Sequence, residues 1–339
     1  MFESFVIDSL SFYESIIAPS FQQLVPTTGT FNGTLGEFTV MDNVASKRPI
    51  VSIMPVQNIL QRRDASCDLI YKKVMNASTR SITTDELYAA TQICKNEFYQ
   101  GALKDWRNSD PLFGQRILPF FQGAYRTDLA SNSYFGDITR IENPAAKWST
   151  TKFDGIFKWI RTFYAAGLIP ASQSVAMPIV DFRANPAQAY GIIKAMYDRQ
   201  SDLLAGLPEG DKAFYVSKPL ADGYADYLLS LGQGDVNLID TYQNGVKVYG
   251  FKGIRIFVDP LWSPILTELY GANYNAAILT VRGNFVFATD KDYGEGENLD
   301  EALMIWYSRE KLSHMYQAFM KAGTNIAMPE HIVFSLPNA

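Results

Sequence analysis

The stretch of residues 212–259 constrains the fold more than any other part of this 339-residue chain. Ala213–Ser217 favours a β-strand, and Ser217 followed by Pro219 is typical of the first turn of a helix. Apolar residues then recur at helical spacing up to a glycine that suits a helix C-terminus: Leu220, Tyr224, Leu228, Leu231 and Gly232. The first half of the stretch therefore predicts a strand followed directly by a helix.

The second half of the stretch predicts a hairpin and another strand. Asn244-Gly245 is a strong hairpin signal, because both positions of a two-residue turn need a positive φ. Gly250 and Gly253 then lead into the apolar run Ile254–Val258, which Asp259-Pro260 closes. Together the two halves predict a compact α/β module.

Turn signals elsewhere mark the ends of three more helices. Ser109–Pro111 predicts the start of a helix, and the segment that follows it runs to the aromatic–Gly–Asp sequence Tyr134–Asp137. Pro119 lies inside this pattern and would cost a helix interior about 3 kcal/mol, so the helix should kink or begin after it. Phe153–Ile156 and Asn185-Pro186 predict the starts of two later helices.

Other segments give less specific patterns. The segment Asp85–Gly101 predicts a helix, because apolar residues recur there at helical spacing: Leu87, Ala90, Ile93, Cys94 and Phe98. Ala276–Val281 and Phe285–Thr289 flank Arg282–Asn284 and predict a tight hairpin. Ala302–Ala322 fits either a strand or a helix.

The order of these elements resembles that of the major capsid proteins of tailed double-stranded DNA bacteriophages, which have the Hong Kong 97-type capsid fold. The strand, Pro-started helix, hairpin, apolar strand and Asp-Pro of residues 212–260 are similar to the axial domain of that family. The turns Tyr134–Asp137 and Phe153–Ile156 stand where the family has such turns. The likeness covers most of residues 37–339 and implies an α+β fold.

The resemblance implies four parts of the chain, including a peripheral domain built on a long spine helix. These are an N-terminal arm (1–36), an extension loop (37–77), a peripheral domain (78–140 and 290–339) and an axial domain (141–289). The family's last segment is a pair of strands that return to the peripheral domain. Ile305–Tyr307 and His331–Phe334 are the segments expected to form that pair.

The resemblance also implies contacts between subunits. Residues 2–17 carry apolar side chains on one helical face, which would pack on a neighbouring subunit or, alternatively, on the chain's own core. The extension loop is basic in an acidic protein and would meet acidic surfaces of a partner, unless it is simply a solvated hairpin. The interface candidates are Lys47, Arg48, Arg62, Arg63, Lys72, Lys73, Phe5, Phe12 and Ile16.

Charge and cysteine content exclude some classes of protein. A net charge of −5 argues against a generic nucleic-acid binder, whose affinity rests on many Lys and Arg contacts. The only cysteines, Cys67 and Cys94, are far apart, so neither a disulfide framework nor a thiolate metal site is expected. The N-terminus lacks the positive flank of a secretory signal, and no stretch has the length of a membrane span. The expected location is the virion, after assembly in the cytoplasm of a bacterial host.

The sequence offers little chemistry. His314 and His331 have no acidic or thiol partner at ligand spacing, and the common hydrolase and phosphate-binding motifs are missing. The weak candidate metal site is an acidic loop that could suit Ca²⁺ through Asp290, Asp292, Glu295 and Glu297. We therefore expect no catalytic residue and no cofactor.

The resemblance implies a major capsid protein that self-assembles, through pentamers and hexamers, into an icosahedral shell around double-stranded DNA. Scaffold, portal and decoration proteins would be its further partners. Three alternatives remain open: an encapsulin-like compartment shell protein, a soluble α/β enzyme acting on carbohydrates, and another virion component such as a tail protein.

Overall fold

The computed structural model describes residues 38–41, 43–55, 75–94, 113–231, 249–290, 303–308, 310–311 and 313–337. Its helices are α1 (Phe113–Phe135), α2 (Ile156–Ala165), α3 (Pro186–Asp198), α4 (Asp202–Ala205), α5 (Lys218–Ser230) and α6 (Trp262–Tyr270). Its first six strands are β1 (Phe38–Met41), β2 (Lys47–Pro55), β3 (Met75–Thr83), β4 (Asp85–Cys94), β5 (Lys212–Ser217) and β6 (Tyr249–Phe251). The others are β7 (Ile254–Asp259), β8 (Ala277–Val281), β9 (Phe285–Thr289), β10 (Leu303–Ser308), β11 (Ser313–Ile326) and β12 (Val333–Ser335).

The described strands form two five-stranded sheets and one two-stranded hairpin. Sheet 1 has the order β1-β9-β11-β10, and β4 also pairs with β11. Sheet 2 has the order β12-β8-β5-β7-β6. Among the described strands, β2 and β3 pair only with each other, and they form what we call the extension hairpin. This mixture of helices with antiparallel and parallel strands confirms the expected α+β class.

The predicted strand and helix at the start of residues 212–259 are confirmed. All six residues of β5 are buried, because helices cover both faces of sheet 2. Phe214 and Val216 pack with α3 and α5, whereas Ala213 and Tyr215 face α2 and α6. Ser217 is the residue before α5, but its hydroxyl donates to Asn275 Oδ1 at 2.8 Å and does not cap the helix.

The second strand of the stretch is also confirmed. Strand β7 pairs in parallel with β5 and in antiparallel with β6. The β6–β7 turn places Lys252 at φ 49° and Gly253 at φ 86°, the two positive values that a tight hairpin turn requires. Asn244-Gly245 lies outside the described residues.

Helix α1 is the longest described helix and corresponds to the expected spine helix. It begins at Phe113 and runs through Pro119, so of the two expected outcomes, a kink or a later start, the later start is wrong. It ends at Phe135, within the aromatic–Gly–Asp turn that predicted its end. The predicted starts of α2 and α3 are likewise confirmed, after Gly155 and Asn185 respectively.

The helix predicted from Asp85 is wrong within the described residues. This segment forms strand β4, which pairs with β11 over ten residues, from Asp85–Ala322 to Cys94–Ser313. Leu87 and Ala89 are partly buried and pack on the core, whereas Tyr88 is 76% exposed. This alternation has the period of a strand. The long-range pairing with β11 decided the outcome, and local spacing did not reveal it.

The hairpin predicted around Arg282–Asn284 is also wrong. Strand β8 belongs to sheet 2 and β9 to sheet 1, so the turn carries the chain from one sheet to the other. Gly283 has φ 74°, and its carbonyl accepts from Thr39 Oγ1 at 2.8 Å. The buried Asn284 side chain donates to Met328 O at 2.9 Å and accepts from Met328 N at 2.7 Å. These bonds hold the corner between the sheets.

The C-terminal strands differ from the expected pair. The ambiguous segment from Ala302 forms β10 and most of β11, which pair in antiparallel. Strand β12 pairs with β8 in sheet 2, so His331–Phe334 does not pair with Ile305–Tyr307 and does not return to sheet 1. The reason is again tertiary, because β12 pairs with a strand that is distant in the chain, and local composition does not specify that partner.

Candidate assembly surface

The extension hairpin leaves the body of the protein at a small, well-defined base. Strands β2 and β3 pair over nine residues, from Lys47–Thr83 to Pro55–Met75. Nine residues of strand span about 27 Å. Ile50 and Ile82 are buried at the base, in a small cluster with Val44, Val286 and Ala288 of the neighbouring β1–β2 connection and β9. This base ties the hairpin to sheet 1.

Polar contacts reinforce the base. Arg80 of β3 donates through Nη2 to Ala327 O at 2.6 Å, and its guanidinium carbon lies 5.7 Å from the centre of the Phe163 ring. Asn325 Nδ2 donates to Ser81 O at 3.0 Å, and Thr84 Oγ1 donates to Val44 O at 3.2 Å. These contacts connect the hairpin to β11 and to α2.

Two turns identified in the sequence meet at the C-terminal end of α1. Gly155 N donates to Gly136 O at 2.8 Å, and Gly136 N donates to Asn132 O at 2.8 Å. A Cβ atom on Gly136 would lie 2.0 Å from Phe153 O, and one on Gly155 would lie 2.6 Å from Gly136 N. The two backbones therefore cross at a distance that only glycine allows. We call this crossing the junction.

One lysine forms ion pairs with two aspartates at the junction. Lys158 Nζ lies 2.7 Å from Asp137 Oδ1 and 2.7 Å from Asp154 Oδ1. Burial by itself raises the pKa of Asp137, but hydrogen bonds from Lys158 and Thr139 outweigh it and lower that pKa to about 2. Thr324 Oγ1 donates to Asp154 O at 2.6 Å and so connects β11 to the junction.

Asn132, nearly fully buried, secures the loop between the two turns. Its Oδ1 accepts from Lys152 N at 2.9 Å, and its Nδ2 donates to Ser149 O at 3.0 Å and to Asp128 O at 2.8 Å. Ser131 Oγ also donates to Ser149 O, at 2.7 Å. The junction thus joins α1, α2 and β11, and β11 in turn contacts the base of the hairpin.

An open groove of about 690 Å³ runs between α1 and β4. Its apolar lining includes Leu87, Ala89, Phe120, Phe121, Ala124 and Tyr125. Phe120 is 72% exposed at its rim. Burial raises the pKa of the Asp128 carboxyl in the lining, and Lys152 opposes this rise.

The structure describes only part of the sequence-predicted interface. Lys47 and Arg48 lie at the base of the extension hairpin, and both are exposed. The remaining candidates lie outside the described residues: Arg62, Arg63, Lys72, Lys73, Phe5, Phe12 and Ile16.

Of the four residues of the predicted metal site in the acidic loop, the structure describes one, Asp290. Asp290 Oδ1 accepts from Lys321 N at 2.8 Å, so this oxygen already has a protein donor. Asp292, Glu295 and Glu297 lie outside the described residues. The described part of the chain contains no group of three or more His, Cys, Asp or Glu residues placed to hold a metal ion.

The two histidines lie in different parts of the fold. His314 is in β11, and His331 is in the short 3-10 turn before β12. Burial lowers the pKa of His331, against an opposing effect of Glu330.

No described helix is both long enough and apolar enough to cross a membrane.

Sequence reasoning missed Arg80, Asn132 and Lys158, which organise the support of the hairpin. One signal was readable, because Asp154 and Lys158 are four residues apart and so lie on one side of a helix start. The contacts of Arg80 and Asn132 join segments that are distant in the chain and left no local pattern.

No protein-family model matches this chain, and no curated protein matches its sequence. Solved structures do match its fold. A chain of the procapsid of satellite phage P4, solved with its size determination protein, gives a TM-score of 0.54 at 10% identity. That match covers 88% of this chain and 92% of the other.

The capsid of Myoviridae phage XM1 gives the same TM-score, 0.54, at 12% identity, and the match covers 91% of this chain and 92% of that chain. An encapsulin complex from Synechococcus elongatus PCC 7942 gives 0.49 at 8% identity over 92% and 89% of the two chains, which is too low to carry a conclusion. The chain has the Hong Kong 97-type capsid fold, as its sequence predicted.

Proposed function

We propose that this protein is the major capsid protein of a tailed double-stranded DNA bacteriophage, and that many copies assemble into an icosahedral shell. The observation that carries the proposal is the match of fold to phage capsid proteins over about nine tenths of both chains. The extension hairpin supports it, because the described contacts that anchor its two strands lie at its base, and such a pair of strands is a natural means of reaching another subunit.

We propose a correspondence between the parts of the family's fold and the elements of this structure. Sheet 1 and α1 would form the peripheral domain, and sheet 2 with α3, α5 and α6 would form the axial domain. The β2–β3 hairpin would belong to the extension loop, which would then extend to Thr83 instead of ending at residue 77, and residues 1–36 would be the arm. Strand β12 lies in sheet 2, so the axial domain would include residues 333–335 together with 141–281, and β9 (Phe285–Thr289) would belong to the peripheral domain with the rest of sheet 1.

The basic residues of the extension loop would set the register between neighbouring subunits. Lys47 and Arg48 are exposed at the hairpin base, and Arg62, Arg63, Lys72 and Lys73 follow along the loop sequence. With a net charge of −5, a second copy offers acidic partners for them. Such pairs contribute more to orientation and association rate than to affinity.

The proposed role is structural. The similar structures are capsid proteins, which favours a structural role over a catalytic one. Assembly would take place in the cytoplasm of a bacterial host, with pentamers and hexamers as the rings of the shell. A scaffold, a portal and decoration proteins are further proposed partners, and the enclosed DNA would be held without sequence recognition.

The test is negative-stain electron microscopy of the protein expressed alone, with light scattering on the same sample. We expect closed shells, or rings that close as the concentration rises. DNA in shells from infected cells would support a capsid, whereas a bound cargo protein would indicate an encapsulin-like compartment. A monodisperse monomer at every concentration, with hydrolysis of a polysaccharide, would overturn the proposal in favour of an enzyme.

A further inference from the structure

The groove between α1 and β4 is long as well as apolar. On the helix it extends from Phe120 to Asn132, and on the strand from Glu86 to Thr91. Twelve helical steps correspond to about 18 Å and five strand steps to about 17 Å. The groove is therefore an elongated trough, which fits a chain segment better than a compact ligand.

The N-terminal sequence matches this trough in length and character. Residues 2–17 place Phe2, Phe5, Val6, Phe12, Tyr13, Ile16 and Ile17 on one helical face. As a helix, the span from Phe5 to Ile16 is about 17 Å long. A short amphipathic helix is marginal alone and needs an apolar surface on which to pack.

The same chain can deliver this segment to its own groove. The first described residue, Phe38, packs on Tyr134 near the C-terminal end of α1, with ring centroids 5.3 Å apart. The groove begins at Asn132, less than one helical turn from Tyr134. Residues 18–37, whose sequence is Thr- and Gly-rich from Thr27 to Gly36, connect this segment to Phe38, and a random coil of twenty residues spans about 25 Å on average.

We propose that residues 2–17 dock as an amphipathic helix in the α1–β4 groove of their own subunit. Tethering favours this occupant over a second copy, because a linker of this length gives an effective concentration near the millimolar range. The docked segment covers Phe120 and its apolar neighbours before the subunit meets another. The contact exists in a single folded subunit, so it does not depend on shell formation.

The test is photo-crosslinking of unassembled full-length subunits isolated by size-exclusion chromatography. Phe12→p-benzoylphenylalanine places the reactive group on the apolar face, and Ser11→p-benzoylphenylalanine places it on the polar face as the matched control. Light and ¹⁵N-labelled subunits are mixed before irradiation. Mass spectrometry then identifies the linked peptides and shows whether they come from one chain or two.

We expect position 12 to crosslink to peptides containing residues 86–91 or 120–132 of the same chain, and position 11 to give little product there. In the position-12 protein, adding Phe5→Asp with Ile16→Asp should abolish the crosslink, whereas Ser4→Asp with Ser15→Asp should leave it. Light–heavy pairs would overturn the proposal by showing that a second copy fills the groove. Crosslinks confined to other surfaces would overturn it as well.

Discussion

Lys158→Met tests whether the junction carries the stability that its geometry indicates. Lys158 Nζ is shared by Asp137 and Asp154 at 2.7 Å, and the side chains of Lys158 and Asp137 are only 22% and 23% exposed. Methionine keeps most of the aliphatic stem and removes the charge. The perturbation is therefore electrostatic, with little change in packing.

The magnitude follows from the pKa of Asp137, which falls from 3.8 to about 2 in the folded protein. A fall of that size corresponds to about 2 kcal/mol of stability at neutral pH. Thr139 still donates to Asp137 in the variant, so Lys158→Met should lose most of this contribution, about 1–2 kcal/mol. Because the folded pKa is depressed, the contribution is present above pH 4 and is lost as pH falls towards 2.

The assay is urea unfolding of unassembled subunits, followed by circular dichroism at several pH values between 7 and 2.5. Lys152→Met is the matched control, since Lys152 and its partner Glu142 are 42% and 63% exposed and such pairs contribute little. A loss below about 0.5 kcal/mol at pH 7 would refute the reasoning. So would a loss that stays constant down to pH 2.5.

Three further changes test the support and the surface. Gly136→Ala should destabilise the subunit by about 2 kcal/mol or more, because its Cβ would lie 2.0 Å from a carbonyl oxygen. The control Gly191→Ala has open space around the new Cβ and should stabilise α3 slightly. Both changes in stability are measured by urea unfolding. Arg80→Leu should cost about 1–2 kcal/mol through the lost hydrogen bond and ring contact, and should speed hydrogen exchange in β3; unchanged exchange would contradict the anchoring role. Charge reversal at Arg62 and Arg63 should impair assembly in electron micrographs while circular dichroism stays unchanged, and normal shells would remove these residues from the interface.

Local signals in the sequence located most helix boundaries and the fold class. Gly136, Gly155, Asn185-Pro186 and Ser217-x-Pro219 each act within one turn of the chain. These local signals were therefore sufficient to locate the end of α1 and the starts of α2, α3 and α5. The support of the candidate surface was harder to predict. Of the junction, the sequence revealed both turns but not that they touch, because eighteen residues separate Gly136 from Gly155.

The errors about strands have one physical origin. Asp85–Cys94 has spacing that fits a helix over a few residues, yet pairing with β11 makes it a strand. The segments flanking Arg282–Asn284 have the pattern of a hairpin, but β8 pairs with strands of sheet 2 and β9 pairs with strands of sheet 1. Strand pairing is long-range, and one chain segment cannot specify which partner it will meet.

The sequence by itself determined where the backbone turns, which faces are apolar and the order of elements that resembles the phage capsid fold. These properties depend on residues close together in the chain. Only the tertiary structure decided how the strands divide between two sheets, that two glycine turns cross, and that one lysine holds two aspartates beside the hairpin. Each of these rests on contacts between distant segments, whose free energy is gained only when the whole core has formed.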